Sequence, residues 1–500
     1  MSTQALSRVV VVGRDADLWL TANAIGHALA PAGVKVIAVE LPSRVNLSRV
    51  SASLPPLEAL HAKLNINEAT LLRASGGSFS FGQNIVAGCR RIPNFFHAWG
   101  AYGAPIDGSP FYPCWLKAVR FGLNSPFQSF CPTAVAAQNG RMLLPDDATV
   151  AFGRTDYGYH LQTLAYVGVL KSNSAALGVT LHEAHAVEVV RSSSSDSITA
   201  VIVNGSTRIE GEFFIDATGD EARLLGGVLG VAEQSWRDHF PADRMLIARA
   251  PKFTSIPPFA EIRTSPLGWT ALHPCQALTG VVHTYSSALT EDEAALRAAA
   301  AAAGAPLCEA SFHTLNPGRQ ARAWVGNCAA VGEAACRFDP IHDVTLHALQ
   351  LSVVHLLSLF PIGAEFSAER AEYNRIMGSY YERIRDFQCA FYSLSPFEGE
   401  FWAAARKLSV PPVLAHKINT FRARGDVAPM EDESFLPESW QALFTGFGVW
   451  PETWPPAIDR ILPNRFQEEF RRIHEFIRGK VLEQPTHDGY LETLRQGAAV

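Results

Sequence analysis

The pattern of apolar and polar residues at the start of the chain predicts a strand, a helix and a second strand in close succession. Residues 8–13 read RVVVVG, and such a valine run is typical of a buried strand in a parallel sheet. The next run, LWLTANAIGHALAPAG, has helical spacing and stops near Gly33, and VKVIAVE then forms a β-rich run that ends at Glu40. This order is the opening of a dinucleotide-binding βαβ unit.

Further along the chain, β-rich and helical segments alternate. Short β segments and irregular aromatic-rich stretches predict a β-rich substrate layer at about 80–155 and 230–316. This layer interrupts a Rossmann-like module that we place at 1–365, and residues 366–500 predict a mainly helical C-terminal region. The sequence therefore predicts a mixed α/β and α+β fold: an FAD/NAD(P)-binding Rossmann-like domain, a β-rich substrate layer and a helical C-terminal region.

Composition excludes several classes of partner. The 500 residues are 48% hydrophobic and 18% charged, which is enough for two or three lobes around a large core. A net charge of −6 argues against a nucleic-acid groove or an anionic membrane surface. The eight cysteines show neither a C-x-x-C pair nor zinc-ligand spacing, so we expect reduced thiols and no metal site.

The apolar segments of the chain favour a cytoplasmic protein without a membrane span. The N-terminal run VVVVG is too short for a signal peptide or a transmembrane helix. The longer run LHALQLSVVHLLSLF is interrupted by His347 and His355, so a buried core helix is the better interpretation.

The loop after the first strand carries acids where a dinucleotide-binding loop carries glycines. It reads Gly13-Arg14-Asp15-Ala16-Asp17-Leu18, so in the G-x-G-x-x-G pattern Asp15 and Leu18 replace the second and third glycines. A carboxylate beside a diphosphate is repulsive by roughly a kcal/mol or more in a partly desolvated site. Two interpretations stay open: an FAD site with a rearranged loop, or a scaffold that no longer holds FAD well.

Downstream segments resemble the flavin-dependent tryptophan halogenases. ARAWVGNCAAVGEAA at 321–335 is similar to their R-x-A-W-V-G-N-C-V-A-I-G segment, and YNRIMGSYYERIRDFQCAFY at 373–392 is similar to their Y-E-x-I-R-D-F helix. EFFIDATG, GAPIDGSPFYPCWL and GVWPETWPPAIDRI also resemble family segments, in the same order along the chain.

The resemblance implies an FAD module joined to a substrate module, often as a homodimer, with reduced FAD supplied by a separate flavin reductase. Oxygen and a halide then give an electrophile that reaches a small aromatic substrate, assisted by a lysine and a glutamate. It further implies a set of cofactor-binding positions: Gly13, Ala16, Trp19, Glu40, Asp216, Gly326, Asn327 and Thr345. Glu40 corresponds to the acid that binds a ribose in such folds.

The two positions that carry the family's catalytic side chains differ here. The lysine strand of the type T-F-K-x-G reads Ser78-Phe79-Ser80-Phe81-Gly82, so Ser80 stands at the lysine. A hydroxyl has no cationic N–H, so Ser80 either takes another role or is only a strand residue.

The family's P-L-E-S-T-G-I run reads Pro340-Ile341-His342-Asp343-Val344-Thr345-Leu346. His342 stands at the glutamate and could act as an acid or base, while Asp343 disfavours a nearby anion. The alternative is a remodelled, inactive turn.

The W-x-W-x-I-P segment of the family appears as Trp269-Thr270-Ala271-Leu272-His273-Pro274, without its second tryptophan. Taken together, the sequence predicts a divergent FAD-dependent oxidoreductase of this family with Ser80, His342 and Asp343 as candidate catalytic residues. The alternatives are a non-catalytic paralogue that binds a ligand or a partner subunit, and a non-halogenating flavin monooxygenase. An NAD(P)-dependent oxidoreductase is disfavoured, because the chain has no second glycine fingerprint.

Overall fold

The computed structural model describes residues 6–88, 91–145, 156–193, 195–361, 363, 365–461 and 463–497. The strands of these regions, in chain order, are β1 (Arg8–Gly13), β2 (Lys35–Glu40), β3 (Val50–Ala52), β4 (Ser78–Ser80), β5 (Gly82–Val86), β6 (Phe95–Ala98), β7 (Gly158–Gln162), β8 (Thr180–Glu183), β9 (Val187–Arg191), β10 (Ile198–Val203), β11 (Thr207–Glu210), β12 (Phe213–Ala217), β13 (Glu233–Ser235), β14 (Arg244–Pro251), β15 (Ala260–Ser265), β16 (Gly268–Pro274), β17 (Leu278–Tyr285), β18 (Cys308–Thr314), β19 (Gly318–Gln320), β20 (Trp324–Val325), β21 (Cys328–Ala330) and β22 (Cys336–Arg337).

The helices, in the same order, are α1 (Asp15–Leu29), α2 (Pro56–Lys63), α3 (Glu68–Ser75), α4 (Phe111–Arg120), α5 (Pro132–Gln138), α6 (Thr163–Ala176), α7 (Asp292–Ala303), α8 (Thr345–Ser358), α9 (Ser367–Ser393), α10 (Glu400–Ala405), α11 (Pro412–Arg424), α12 (Pro437–Gly446), α13 (Pro463–Glu483) and α14 (His487–Gln496). No helix within these described ranges is long and apolar enough to cross a membrane.

The chain divides into two units, each built from three separate segments. Unit 1 contains residues 1–76, 161–237 and 316–385, and unit 2 contains 77–160, 238–315 and 386–500. The last segment of unit 1 ends at residue 385, and the remaining helical part of the chain belongs to unit 2.

Unit 1 is centred on a six-stranded sheet in the order β20-β21-β12-β1-β2-β8. Strands β8, β2, β1, β12 and β21 are parallel, and β20 pairs antiparallel with β21. The valines of β1 are fully buried, as expected for the central strand of a parallel sheet. The predicted α/β fold class is confirmed, and the segments around 8–13, 212–219 and 322–328 lie in this one sheet.

The segment 322–328 is a hairpin instead of the single strand that its apolar character suggested. Gly326 has a φ of +54°, and a Cβ at this position would lie 1.7 Å from the carbonyl oxygen of Asp196. Only glycine fits this turn, which reverses the chain between β20 and β21.

Unit 2 is centred on a seven-stranded sheet in the order β18-β14-β17-β16-β15-β5-β6. Strands β16 and β17 are buried along their whole length. Helices α10 to α14 belong to the same unit, and α4, α5 and α13 pack together. Strand β4, which carries Ser80, pairs antiparallel with β7.

Candidate functional site

The loop after β1 keeps the backbone of a dinucleotide-binding turn. Gly13 pairs with Ala217 of β12, and a Cβ on Gly13 would lie 2.2 Å from the Ala217 carbonyl oxygen, so a side chain has no room here. Asp15 adopts a φ of +52°, in the left-handed region that glycine usually occupies. The turn therefore has the conformation of a glycine-rich loop, although its residue is an aspartate.

The carboxylates of this loop bind other parts of unit 1. Asp15 Oδ2 accepts a hydrogen bond from the backbone N–H of Arg44 at 3.2 Å, and Asp17 Oδ2 accepts one from the N–H of Glu333 at 3.0 Å. Gly332, which precedes Glu333, has a φ of +58°, and a Cβ there would lie 2.4 Å from the Asp17 carboxyl carbon. Asp17 is thus the hydrogen-bond acceptor of the Glu333 N–H, in the turn that follows β21.

Burial and crowding set the protonation of these acids. Desolvation, followed by repulsion from Glu333, raises the pKa of Asp17 well above its usual value. Desolvation also raises the pKa of Glu333, although the Arg49 guanidinium opposes that shift. Both shifts favour the protonated forms of Asp17 and Glu333, so the local charge is less negative than the sequence alone indicates.

The arginines near the loop already have carboxylate partners. Glu221 accepts from Arg14 Nη2 at 3.0 Å and from Arg223 Nε at 2.5 Å, and it also pairs with Arg44. Its hydrogen bond with Arg223, together with the charges of Arg14 and Arg44, lowers the pKa of Glu221 to about 2. A bound anion would have to compete with Glu221 for these guanidinium groups.

Glu40, the predicted ribose-binding acid, lies at the end of β2 as expected but is hydrogen-bonded within the chain. Its Oε1 accepts from the Trp19 indole N–H at 2.8 Å, and its Oε2 accepts from Lys171 Nζ at 2.6 Å. The Lys171 ammonium also lies 5.2 Å from the centre of the Trp19 ring, close enough for a cation–π contact. Lys171 lies on α6, and no signal in its local sequence pointed to this partnership.

Asp216, at the end of β12, is a fully buried residue that organises the next turn. It accepts hydrogen bonds from the backbone N–H and hydroxyl of Thr218 and from the N–H groups of Leu224 and Leu225. Desolvation raises its pKa. With four donors already bound, Asp216 has little capacity left to contact a cofactor directly.

Two predicted cofactor-binding residues lie at the other end of the sheet. Gly326 and Asn327 precede β21, whose register pairs Cys328 with Phe214, near the amino end of β12. Asn327 bridges the backbone of Ile198 and Glu212. The pair therefore lies at the opposite end of the sheet from the loop at 13–18, which follows the carboxyl end of β1. Gly332 and Glu333, which follow β21, are the residues at the carboxyl end of that strand.

The turn before α8 has an unusual backbone. His342 and Asp343 have φ values of +68° and +55°, so two successive residues other than glycine are left-handed. The His342 side chain is fully buried, and Asp343 contributes a negative charge near Arg49. Thr345 begins α8 and is half-buried, and α8 packs against α1 and against the turn at Gly332–Ala334.

Ser80 belongs to unit 2, where it is 2% exposed. Its hydroxyl lies 3.5 Å from the Gly82 carbonyl oxygen, at the outer limit for a hydrogen bond. The rings of Tyr157, Tyr159 and His487 surround the neighbouring Phe79. Phe79 is thus enclosed in a packed aromatic layer.

In the same unit, Trp269 is fully buried and donates its indole N–H to the Tyr392 hydroxyl at 2.8 Å. His273 is buried beside His160, with ring centres 5.3 Å apart.

Comparisons with known proteins agree with this architecture. A family model described as tryptophan halogenase matches residues 8–463. Tryptophan 7-halogenase KtzQ of Kutzneria sp. (strain 744) is 26% identical, over 99% of this chain and 100% of its own length. Among solved structures, the flavin-dependent halogenase Xcc4156 of Xanthomonas campestris is 27% identical with a TM-score of 0.93, and each chain is covered to 99%. BrvH, a flavin-dependent halogenase from Brevundimonas sp. BAL3, is 25% identical with a TM-score of 0.92, over 98% of this chain and 99% of that one.

Proposed function

The chain belongs to the tryptophan halogenase family, and from this premise we propose that it is a flavin-dependent oxidoreductase that acts on an electron-rich aromatic small molecule other than free tryptophan. The observation that carries the proposal is the match over nearly the whole chain, together with the glycine-like turn at 13–15. A separate flavin reductase and a homodimeric assembly are the partners we propose, by analogy with the family.

The backbone of unit 1 fits FAD, while its side chains weaken the fit. Gly13 allows β1 and β12 to lie close together before the turn, and the N–H groups at the start of α1, near Asp15 and Ala16, suit a diphosphate. The Asp15 carboxylate opposes the same group, Asp17 already occupies the Glu333 N–H, and Glu40 would have to share its lone pairs between a ribose and its present donors. FAD, when bound in its reduced form, supplies the electrons that activate oxygen. We therefore propose FAD as a weakly held, exchangeable cofactor.

The candidate catalytic residues supply a limited chemistry. Ser80 offers one hydroxyl in a nearly dry environment, which can accept or donate a hydrogen bond but carries no charge. His342 offers a buried imidazole, and Asp343 places a carboxylate next to it in sequence. We propose that Ser80 does not deliver an electrophile as a lysine would, and that His342 serves for proton transfer.

The proposal is tested with purified protein, FAD, a flavin reductase, NADH, oxygen and bromide, and a panel of indoles, phenols and pyrroles. We expect a product whose mass includes bromine or oxygen from at least one member of the panel, and none when the protein is omitted. If no panel member is modified although FAD is bound, the proposed oxidoreductase activity is wrong.

The acidic loop favours a second candidate, a non-catalytic paralogue that binds a ligand or a partner subunit. Asp15 and Asp17 both satisfy backbone donors in a region that an FAD-binding protein leaves open to a diphosphate. A visible spectrum after incubation with FAD, measured during equilibrium dialysis, distinguishes the two candidates. Absence of bound flavin at millimolar FAD would support the non-catalytic protein.

A further inference from the structure

Unit 2 contains an aromatic cavity of ≈ 350 Å³ next to the start of β6. This volume lies near the lower end of the range for small-ligand sites. Its walls include Phe95, Phe96, Tyr102, Trp115, Phe127 and Trp450. The indole rings of Trp115 and Trp450 are nearly parallel, with centres 5.9 Å apart, and the rings of Tyr102 and Phe127 are also stacked. A cavity with such walls suits a flat aromatic molecule.

The cavity lies away from Ser80 along the β5–β6 hairpin. Phe95 pairs with Ile85, whereas Ala98 pairs with Gly82, which lies two residues after Ser80. Three residue steps along a strand correspond to roughly 10 Å. The cavity is therefore distinct from the surroundings of the candidate catalytic serine.

Two side-chain amides at the cavity present hydrogen-bond donors. Asn94 Oδ1 accepts from the N–H of Ala87 at 3.0 Å, and Gln128 Oε1 accepts from the N–H of Phe96 at 2.9 Å. These bonds fix the orientation of both amides, because the oxygen must face the backbone donor. Across the part of the chain that the structure describes, the NH₂ groups of Asn94 and Gln128 have no hydrogen-bond partner.

Two further groups add to this donor set. Trp450 is 44% exposed, a large fraction for an aromatic ring, and its indole N–H has no acceptor among the described residues. Arg91 also lines the cavity; its Nε lies 3.8 Å from Glu398 in an exposed ion pair, which costs little to exchange for another anion.

We propose that this cavity binds a planar aromatic carboxylate. The stacked rings contact the aromatic part, and the amide, indole and guanidinium donors bind the carboxylate. The inference concerns binding alone, so it holds whether or not the chain holds FAD or turns over a substrate.

The test is isothermal titration calorimetry of the full chain with 2-naphthoate and with the neutral 2-naphthol at pH 7.5. We expect 2-naphthoate to bind at one site per chain and at least about tenfold more tightly than 2-naphthol. Gln128→Glu keeps the acceptor for Phe96 but places a negative charge at the donor, so it should weaken 2-naphthoate at least about tenfold and leave 2-naphthol within about twofold. Trp450→Ala should weaken both ligands.

The control is Leu436→Ala, which removes another exposed apolar side chain of unit 2 outside the cavity lining and should change neither affinity. Circular dichroism of each variant confirms that it is folded. Equal affinities for the two ligands, absence of binding, or 2-naphthoate binding that is unchanged in Gln128→Glu and Trp450→Ala would each overturn the proposal.

Discussion

At the scale of single residues, the cofactor loop is governed by the backbone groups that its two aspartates bind. Asp15 and Asp17 both accept backbone hydrogen bonds from distant segments, and Asp17 shares a buried region with Glu333. Such carboxyl groups stabilise the loop without a ligand. The same contacts disfavour a diphosphate, so loop stability and FAD affinity are opposed at these positions.

We predict that Asp17→Ala tightens FAD binding about tenfold, which corresponds to about 1.4 kcal/mol. The change frees the Glu333 N–H and removes a carboxyl group, and Asp15→Gly should act in the same direction. Fluorescence titration of FAD measures both. Asp196→Ala, a change of an exposed aspartate in unit 1, is the control and should have no effect. Nanomolar affinity in the unmodified protein would contradict the repulsion argument.

A second residue-scale prediction concerns Ser80 and His342. We predict no bromination of free tryptophan or indole by the unmodified protein with a reductase, FAD, oxygen and bromide, because neither residue supplies the cation or the carboxylate that the family resemblance implies. Positioned groups of this kind commonly contribute about 10²–10⁴-fold.

Ser80→Lys combined with His342→Glu should also fail, because the turn at 343–345 and the loop at 13–18 are unchanged. Mass spectrometry decides, and brominated tryptophan from the unmodified protein would require other catalytic residues.

At the scale of elements, the start of α1 and the turn at Gly332–Ala334 are in direct contact through Asp17. We predict that Gly332→Ala destabilises the protein by more than about 1 kcal/mol, because a left-handed residue with a Cβ is strained and that Cβ overlaps the Asp17 carboxyl group. In an Asp17→Ala background this overlap disappears. The loss of folding stability caused by Gly332→Ala should then fall to about 1 kcal/mol, which is the strain of a left-handed alanine alone. Urea denaturation of both pairs of variants measures this coupling. Equal costs in the two backgrounds would show that the elements are independent.

The elements differ in how far the sequence could predict them. The central strand β1 was predictable because its valines are buried on both faces. The hairpin of β20 and β21 was not, because a two-residue turn inside a short apolar run gives no periodic signal. The contacts of Asp17 with Glu333 and of Glu40 with Lys171 join residues that are 316 and 131 positions apart. Only the rule that parallel strands meet at their carboxyl ends could have suggested Glu333, and nothing local marked Lys171.

At the scale of the whole molecule, buried histidines link stability to pH. Burial lowers the pKa of His97 to about 3 and the pKa of His61, His283, His347 and His487 to about 4. Unfolding returns each imidazole to a pKa near 6.5, so below that pH the unfolded chain binds more protons. The stabilisation from these residues is complete above about pH 6.5 and is lost as pH falls toward 4. The raised pKa values of Asp17, Glu333 and Asp216 act in the opposite direction.

Because five histidines outnumber these three acids, we predict that the melting temperature at pH 5 is several degrees lower than at pH 7.5. His487→Gln should reduce the number of protons that the chain takes up on unfolding at pH 5 by about one. Glutamine can replace both hydrogen bonds of His487 without titrating. Calorimetry across the pH range is the measurement. A melting temperature that rises on acidification would show that the acids dominate.

Because each unit is built from three separate segments, the protein cannot complete either unit early in its synthesis. A ribosome must release residue 385 before the final segment of unit 1 is available, and unit 2 receives its last segment only afterwards. Neither unit can finish folding as an N-terminal domain during synthesis, unlike domains that are contiguous in the chain. Strand β1 can pair early with β2, but its other partner, β12, is synthesised much later, and a chain that is cut short at any internal position leaves at least one unit incomplete.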